Sequence, residues 1–176
     1  MNHLPLRQSV GVAGEAARVF ARQDLLDALS RPGRFQLVRL GDGGQILAVR
    51  EIGLAEARLA LRQAYGERVR FGAVSVHSPV DPATGALLAP VMFLRVDAPR
   101  GHAQALLQLL RERGVAPQDT AYERDRVVLR AEVPLARLLG VERQVGELTD
   151  GAAHTMCWLL RYAVAEGAAE HATAQA

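Results

Sequence analysis

Apolar residues in the first half of the chain recur with helix-like and strand-like spacing in a clear order. In some stretches they return every three or four residues, which predicts amphipathic helices; in others they largely alternate with polar residues, which predicts strands. Two helices are predicted, over Glu15–Ser30 and Gly53–Tyr65. Four strands are predicted, over Leu6–Val12, Arg34–Leu40, Gln45–Val49 and Val69–His77. The order of elements is therefore βαββαβ.

The second half of the chain repeats this order. One helix begins near Pro99 and ends at Gly114, because Pro suits the first turn of a helix and Gly suits the position after its end. A second helix begins at Pro134 and carries the apolar residues Leu135, Leu138 and Leu139. The predicted strands are Val91–Val96, Ala121–Glu123, Arg126–Val133 and Ala153–Tyr162.

The repeated βαββαβ order is that of the split-βαβ, ferredoxin-like fold. Two copies predict an α+β protein built from two ferredoxin-like sandwich domains with antiparallel sheets. The Pro- and Gly-rich segment from Ser78 to Gly85 favours turns, so we place the domain boundary there. We predict one domain over residues 1–82, a second over 83–165, and a flexible tail over 166–176.

The composition is that of an ordinary soluble globular protein. Hydrophobic residues make up 49% of the chain and charged residues 23%, which argues against a disordered chain. The single Cys157 excludes an intrachain disulfide scaffold and a Cys-rich zinc site. No apolar run approaches the roughly 20 residues that span a bilayer, and the N-terminus has no apolar signal core. We therefore expect a cytoplasmic protein without a membrane partner.

The charge distribution says little about a partner. The formal net charge is +2, from 21 basic and 19 acidic residues, and every basic residue is Arg. Residues 1–82 carry 11 Arg and 8 acids, a charge of +3, whereas residues 83–176 carry 10 Arg and 11 acids, a charge of −1. Arg is suited to bidentate phosphate contacts. Because the preference for Arg covers the whole chain, codon bias is the favoured interpretation.

No set of residues predicts a catalytic or metal site. Ser75, His77, Ser78 and Asp81 supply the residue types of a hydrolase triad, but they are neighbours in one strand and loop and cannot orient one another. His154 and Cys157 are three residues apart, so a strand places them on opposite faces. We expect no enzyme activity, no metal and no cofactor.

The last predicted strand presents several large side chains on one face. They are His154, Met156, Trp158, Leu160 and Tyr162. This face either forms the sheet core beneath the helices or offers an aromatic surface for base stacking or for a partner. The core interpretation is favoured for Met156 and Leu160.

The second half also resembles a known family, the C-terminal domain (domain V) of the translational GTPase elongation factor G. The resemblance covers about residues 87–165. The residues that carry it recur in the family in the same order and spacing. They are Ala131-Glu132-Val133-Pro134-Leu135-Ala136, Leu139-Gly140, Leu148-Thr149-Asp150-Gly151 and Thr155-Met156, preceded by Leu88-Ala89-Pro90-Val91-Met92 and Arg111-Glu112-Arg113-Gly114.

The first half resembles domain III of the same family. Gly44 to Ala48, Ala64 to Gly66 and Gly72 to Val76 are similar to a strand, a helix end and the final strand of that domain. The family's Gly-Glu-Leu-His motif is absent, and the segment from Arg50 to Leu54 stands in its place.

The resemblance implies a role in translation without GTP. The sequence contains no Lys, so it has neither the phosphate-binding loop nor the Asn-Lys-x-Asp motif of a GTPase. The function implied is a non-catalytic, translation-factor-related protein that binds the ribosome or ribosomal RNA. The alternative is a protein–protein interaction module, a homodimer that keeps the fold without ribosome binding. The residues implied in RNA contact are His102, Arg111, Arg113, Arg124 and Arg126.

Overall fold

A computed structural model of the chain describes residues 4–14, 22–41 and 43–165. The chain forms two compact units, Met1–His77 and Ser78–Ala176. The tail predicted over residues 166–176 lies outside the described residues, as does most of the first half of the helix predicted over Glu15–Ser30.

The first unit is a four-stranded antiparallel sheet with helices. Its strands are β1 (Leu6–Val12), β2 (Phe35–Leu40), β3 (Gly43–Ala48) and β4 (Val69–Val76), and they lie in the order β2-β3-β1-β4. Its described helices are α1 (Gln23–Leu29) and α2 (Glu51–Tyr65).

The core of the first unit forms where alternate strand residues meet the apolar stripe of α2. Leu6 and Ile46 from the sheet, and Leu54 and Leu61 from α2, are almost completely buried. The helix starts close to β2: a Cβ added at Gly53 would lie 2.5 Å from the carbonyl oxygen of Arg34. Only Gly permits this approach without a shift of the backbone.

The second unit repeats the topology. Its strands are β5 (Leu88–Pro99), β6 (Asp119–Glu123), β7 (Arg126–Pro134) and β8 (His154–Val164), in the order β6-β7-β5-β8 with every pairing antiparallel. Its helices are α3 (Ala103–Glu112), α4 (Leu135–Leu138) and α5 (Val141–Leu148). A short 3₁₀ turn, Arg100–His102, leads into α3. The prediction of two α+β, ferredoxin-like units with antiparallel sheets is confirmed.

Burial alternates along the two central strands of the second sheet. On β5, the residues Met92, Leu94 and Val96 are buried, while the intervening side chains remain partly exposed. Their antiparallel partners on β7 are buried as well. The buried face packs with the apolar stripe of α3, formed by Leu106 and Leu110. The opposite face of this sheet, which we call the open face, contains the partly exposed residues.

The helix predicted to begin at Pro134 is interrupted. The chain leaves the helical conformation at Leu139 and passes through Gly140, whose φ is 79°. A left-handed φ of this kind is readily adopted by Gly. The predicted helix is therefore two short helices, α4 and α5, and Leu139 lies between them.

The turn-rich segment at the start of the second unit closes a hairpin. Val80 bridges to Leu87, and the backbone N–H of Leu88 donates to the carbonyl of Pro79 at 2.8 Å. The tip is ordered by Asp81, whose carboxylate accepts hydrogen bonds from the Thr84 hydroxyl at 2.6 Å and the Ala83 N–H at 3.0 Å.

Candidate functional site

The open face of the second sheet contains the aromatic residues of the last strand. In the β5–β8 register, Trp158 lies opposite Phe93, Met156 opposite Arg95, and His154 opposite Asp97. Since Arg95 and Asp97 alternate with the buried residues of β5, all these side chains lie on the open face. The core interpretation of Met156 is therefore wrong.

A β-bulge in β8 changes the face on which the later residues lie. Met92 lies opposite Leu159, but the preceding Val91 lies opposite Arg161, so Leu160 is the extra residue. Leu160 is 42% exposed and does not belong to the core, which also corrects the expectation for it. The bulge moves Tyr162 to the helix-facing side of the sheet, away from Trp158, because a slip of one residue reverses the facing.

Two aromatic rings are stacked on the open face. The ring centroids of Phe93 and Trp158 are 4.5 Å apart, with an angle of 26° between the ring planes. Phe93 is half-buried beneath this contact, whereas Trp158 remains 45% exposed. The outer face of an indole held in this way is available to stack against a flat group or an apolar side chain.

Ion pairs surround this stack. Arg161 reaches across β5 to Glu132, and Arg130 pairs with Asp119. Arg126 pairs with Asp97 through its Nε, and its second nitrogen donates to the carbonyl of the same residue at 3.1 Å. The carboxylates of these pairs are therefore already partnered.

Two of the five residues implied in RNA contact have structural partners. Arg126 is held by Asp97, as described. The guanidinium of Arg113, just after the end of α3, donates to the carbonyl of Leu139 at 3.0 Å and to the side chain of Gln144 at 2.7 Å. It therefore ties the end of α3 to the α4–α5 connection and to α5.

The other three predicted residues do not all lie together, because Arg111 is remote from the other two. His102 closes the turn before α3, and Arg124 lies at the tip of the β6–β7 hairpin beside that turn. Arg111 lies in the last turn of α3, about 13.5 Å from His102 along the helix axis at 1.5 Å per residue. None of the three side chains forms a hydrogen bond or ion pair with any residue that the structure describes.

Sequence reasoning missed Arg100. Its guanidinium lies over the ring of Tyr122 at 5.3 Å and donates to the carbonyl of Arg124 at 3.4 Å. Its backbone N–H donates to the carbonyl of Asp125 at 2.6 Å. These contacts join the turn before α3 to the β6–β7 hairpin. The Pro-Arg-Gly-His sequence before the helix was the available signal, but it does not show which strand pair the turn would meet.

The arrangement contains no assembled catalytic or metal centre within residues 4–14, 22–41 and 43–165. No group of three His, Cys, Asp or Glu side chains there could hold a metal ion. Cys157 lies opposite Leu94 on the helix-facing side, whereas His154 lies on the open face. In the first unit, a hydrogen bond from Arg22 holds the pKa of Asp24 below its usual value.

Helix length and apolar character decide whether a helix can cross a membrane. The longest described helix, α2, has 15 residues, and no helix of the described chain is both long and apolar enough to cross a bilayer.

The comparisons with known proteins agree with the motifs of the second half. Residues 86–172 match the model of the elongation factor G C-terminus family. No curated protein matches the chain in sequence. A crystal structure of a protein from Thermus thermophilus is similar with a TM-score of 0.61 and 16% identity, over 96% of this chain. This chain spans 42% of the length of that protein, and at such identity the likeness shows the fold.

The family match covers nearly the whole described part of the second unit. It includes the open face, α3 and the β6–β7 hairpin. The resemblance of the second half of this chain to the C-terminal domain of a translation factor, elongation factor G, is therefore confirmed.

Proposed function

We propose that this chain is a non-catalytic, translation-factor-related protein that binds the ribosome through ribosomal RNA. The single observation that supports this most is the match of residues 86–172 to the elongation factor G C-terminus. The first unit, whose motifs resemble domain III, would accompany the second as it does in the family. Both would act in the cytoplasm, without GTP, because a chain without Lys lacks the side chain that reaches the β- and γ-phosphates.

The surface best suited to an RNA backbone lies where the turn before α3 meets the β6–β7 hairpin. It presents the cations Arg100 and Arg124, which we call the hairpin-end cations, together with the imidazole of His102 in the same turn as Arg100. Arg124 and Arg100 are exposed, and the Arg124 side chain has no partner among the described residues. Contacts of this kind to phosphate oxygens orient a protein on RNA without reading sequence.

The backbone at Arg124 supports a role for its side chain. Its φ is 42°, in the left-handed region that side chains other than Gly rarely adopt. Gly would relieve this strain, which is of the order of 1 kcal/mol. A guanidinium at the tip of the hairpin therefore has a local energetic cost and no compensating contact within the described chain.

Arg111 belongs to the proposal as a separate contact, because it lies at the opposite end of α3. Arg113 and Arg126 do not contact RNA in this proposal. Their guanidinium groups are engaged with Gln144 and Asp97, and they hold the surrounding elements in position.

Co-sedimentation with ribosomes tests the proposal. The doubly substituted protein, Arg124→Ala with His102→Ala, should bind several-fold more weakly than the parent chain. The slope of log affinity against log salt should fall by about 1 for each phosphate that the protein no longer reaches. Arg111→Ala should weaken binding separately and to a smaller extent.

The matched control is Arg143→Ala. Arg143 is an exposed Arg of the same unit that pairs with Glu147 at 2.6 Å on α5. The α5 helix meets the C-terminal half of α3, where Leu109 and Gln144 line a shared surface, and not the hairpin end. No binding of the parent protein at low salt would overturn the proposal. An equally weakened control would overturn the assignment to the hairpin-end cations.

A further inference from the structure

The open face of the second sheet has an exposed apolar patch that the proposed RNA contact does not use. We define the β8 patch as Phe93, Met156, Trp158 and Leu160. Trp158 and Leu160 are 45% and 42% exposed, and Met156 and Phe93 are half-buried beside them. Contiguous exposed apolar side chains around a rigid aromatic residue are characteristic of interaction surfaces.

The charges around the β8 patch argue against a polyanion as its occupant. The open face carries four Arg and four carboxylates, so its formal charge is zero; they are Arg95, Arg126, Arg130 and Arg161, and Asp97, Asp119, Glu123 and Glu132. Each of these Arg lies within ion-pair distance of a carboxylate of the same face. An RNA strand would find no net attraction there and would have to separate existing ion pairs.

A neutral face with both signs of charge is suited to a second copy of itself. In a two-fold symmetric contact, each surface meets its own image, so a strongly charged face would repel itself. On this face, the Arg of one copy can approach the carboxylates of the other, and no excess charge is buried. The internal ion pairs also reduce the number of unpaired charges that the contact would desolvate.

The strand that bears most of the patch, β8, is an edge strand of the sheet and contains one charged residue. The one Arg of β8 is Arg161, and it is directed inward across β5 to Glu132. Edge strands that avoid association commonly present charged side chains or Pro. Between His154 and Val164, β8 has no Asp, Glu or Pro, and no Arg other than Arg161.

We propose that the open face of the second sheet is the contact of a two-fold symmetric homodimer, with the β8 patch at its centre and Trp158 near the symmetry axis. The ribosomal contact proposed above uses the hairpin end of the same unit, so each proposal can fail without the other.

The protein contains its own reporter for this contact, because Trp158 is the only tryptophan. Light scattering should give a mass of twice 19.0 kDa at high concentration, falling to 19.0 kDa on dilution. Over the same concentrations, the emission of Trp158 should shift to shorter wavelength on association, and its quenching by acrylamide should fall. The mass and the fluorescence should change with one midpoint.

Two substitutions locate the contact. Trp158→Arg should keep the mass at 19.0 kDa at every concentration. Leu160→Arg should weaken association at least tenfold and leaves the Phe93–Trp158 stack in place, so it serves if the first variant folds poorly. Leu59→Arg is the matched control. Leu59 is a 59% exposed apolar residue of α2 in the first unit, and its substitution should leave the mass unchanged.

Three results would overturn the proposal. The first is a parent protein whose mass stays at 19.0 kDa into the hundreds of micromolar. The second is association without any change in Trp158 emission, which would assign the dimer to another surface. The third is a shift of the monomer's emission on addition of short single-stranded RNA, which would assign the β8 patch to base stacking.

Discussion

The two units have the same topology. They differ in the hydrogen bonding of their buried polar groups and in the residues on the exposed faces of their sheets. The strand orders β2-β3-β1-β4 and β6-β7-β5-β8 are equivalent. On the corresponding face of the first sheet, the residues around β1 are Arg7, Ser9, Gln45, Leu47 and Ser75, of which Leu47 is the one large apolar side chain. In the second unit, the same location holds a stacked Phe93 and ion pairs.

The buried polar residues differ in the same way. In the first unit, Gln8 is buried on β1; its amide nitrogen donates to the carbonyl of Gly72 at 2.7 Å, but its side-chain oxygen has no hydrogen-bond partner among the described residues. In the second unit, the buried Thr149 hydroxyl donates to Val145 at 2.8 Å and accepts from Ala153 at 3.2 Å.

This contrast shows that two units with the same fold can differ in how fully their buried polar groups are hydrogen-bonded. Leaving a buried acceptor unpaired costs roughly 1–3 kcal/mol, whereas Thr149 satisfies both its groups and fixes the connection between α5 and β8. The second unit, in which Thr149 is fully hydrogen-bonded, is also the unit that matches a known family. The fold is common to both units, and the residues on the exposed sheet face distinguish them.

The largest effects should come from removing core side chains in one unit at a time. Leu106 in α3 and Leu61 in α2 are both fully buried, so each Leu→Ala substitution should cost about 2–5 kcal/mol. Trp158 reports only on the second unit. Leu106→Ala should therefore lower the midpoint of the unfolding transition seen by fluorescence, whereas Leu61→Ala should lower stability seen by circular dichroism and leave the fluorescence transition unchanged. Equal shifts of the fluorescence transition would show that the two units unfold as one.

Replacing two helix glycines with Ala should change stability by smaller amounts, with opposite signs in the two units. A Cβ at Gly53 would lie 2.5 Å from a backbone oxygen and 3.2 Å from the Ala48 side chain, so Gly53→Ala should destabilise the first unit by about 1–3 kcal/mol. A Cβ at Gly146 in α5 would meet nothing within 4 Å. Because Ala favours helix over Gly, Gly146→Ala should stabilise the second unit by about 0.5–1 kcal/mol. Urea unfolding measures both, and the same sign for the two would contradict the packing described at Gly53.

The fold could be predicted from the sequence because the residue patterns that indicate helices and strands lie within single elements. Alternation along β7 and the helical spacing of α3 depend on residues within one element, and the order of elements then determined the topology. The break at Gly140 could not be predicted in this way, since the helical spacing of Leu135 and Leu138 continues at Val141 on its other side. The β8 bulge was also hidden, because strict alternation assumes a register that only the partner strand β5 determines.

The candidate site was less predictable because it depends on contacts between distant residues. Arg113 and Arg126 look like exposed cations in sequence, yet Gln144 and Asp97 hold them. The contacts of Arg100 place the hairpin turn at Arg124 beside the start of α3, a proximity that the order of residues along the chain does not indicate. The family motifs fixed the identity of the domain and gave no positions for these side chains.

The smallest effect concerns the hairpin through which the chain enters the second unit. The hydrogen bond from the Thr84 hydroxyl, with a second from the Ala83 N–H, holds the pKa of Asp81 below its usual value. A lowered pKa in the folded state means that ionised Asp81 favours the hairpin. Its contribution is present above the ordinary carboxyl pKa, about 3.9, and is lost as the pH falls through the lowered value. Thr84→Ala removes the larger cause, so the pKa of Asp81 should rise toward the ordinary value, as a carboxyl titration by NMR would show.

Asp24 in the first unit provides the internal control, since Arg22 lowers its pKa independently and its titration should not change. An unchanged Asp81 titration in Thr84→Ala would mean that the hairpin tip is not ordered by this bond.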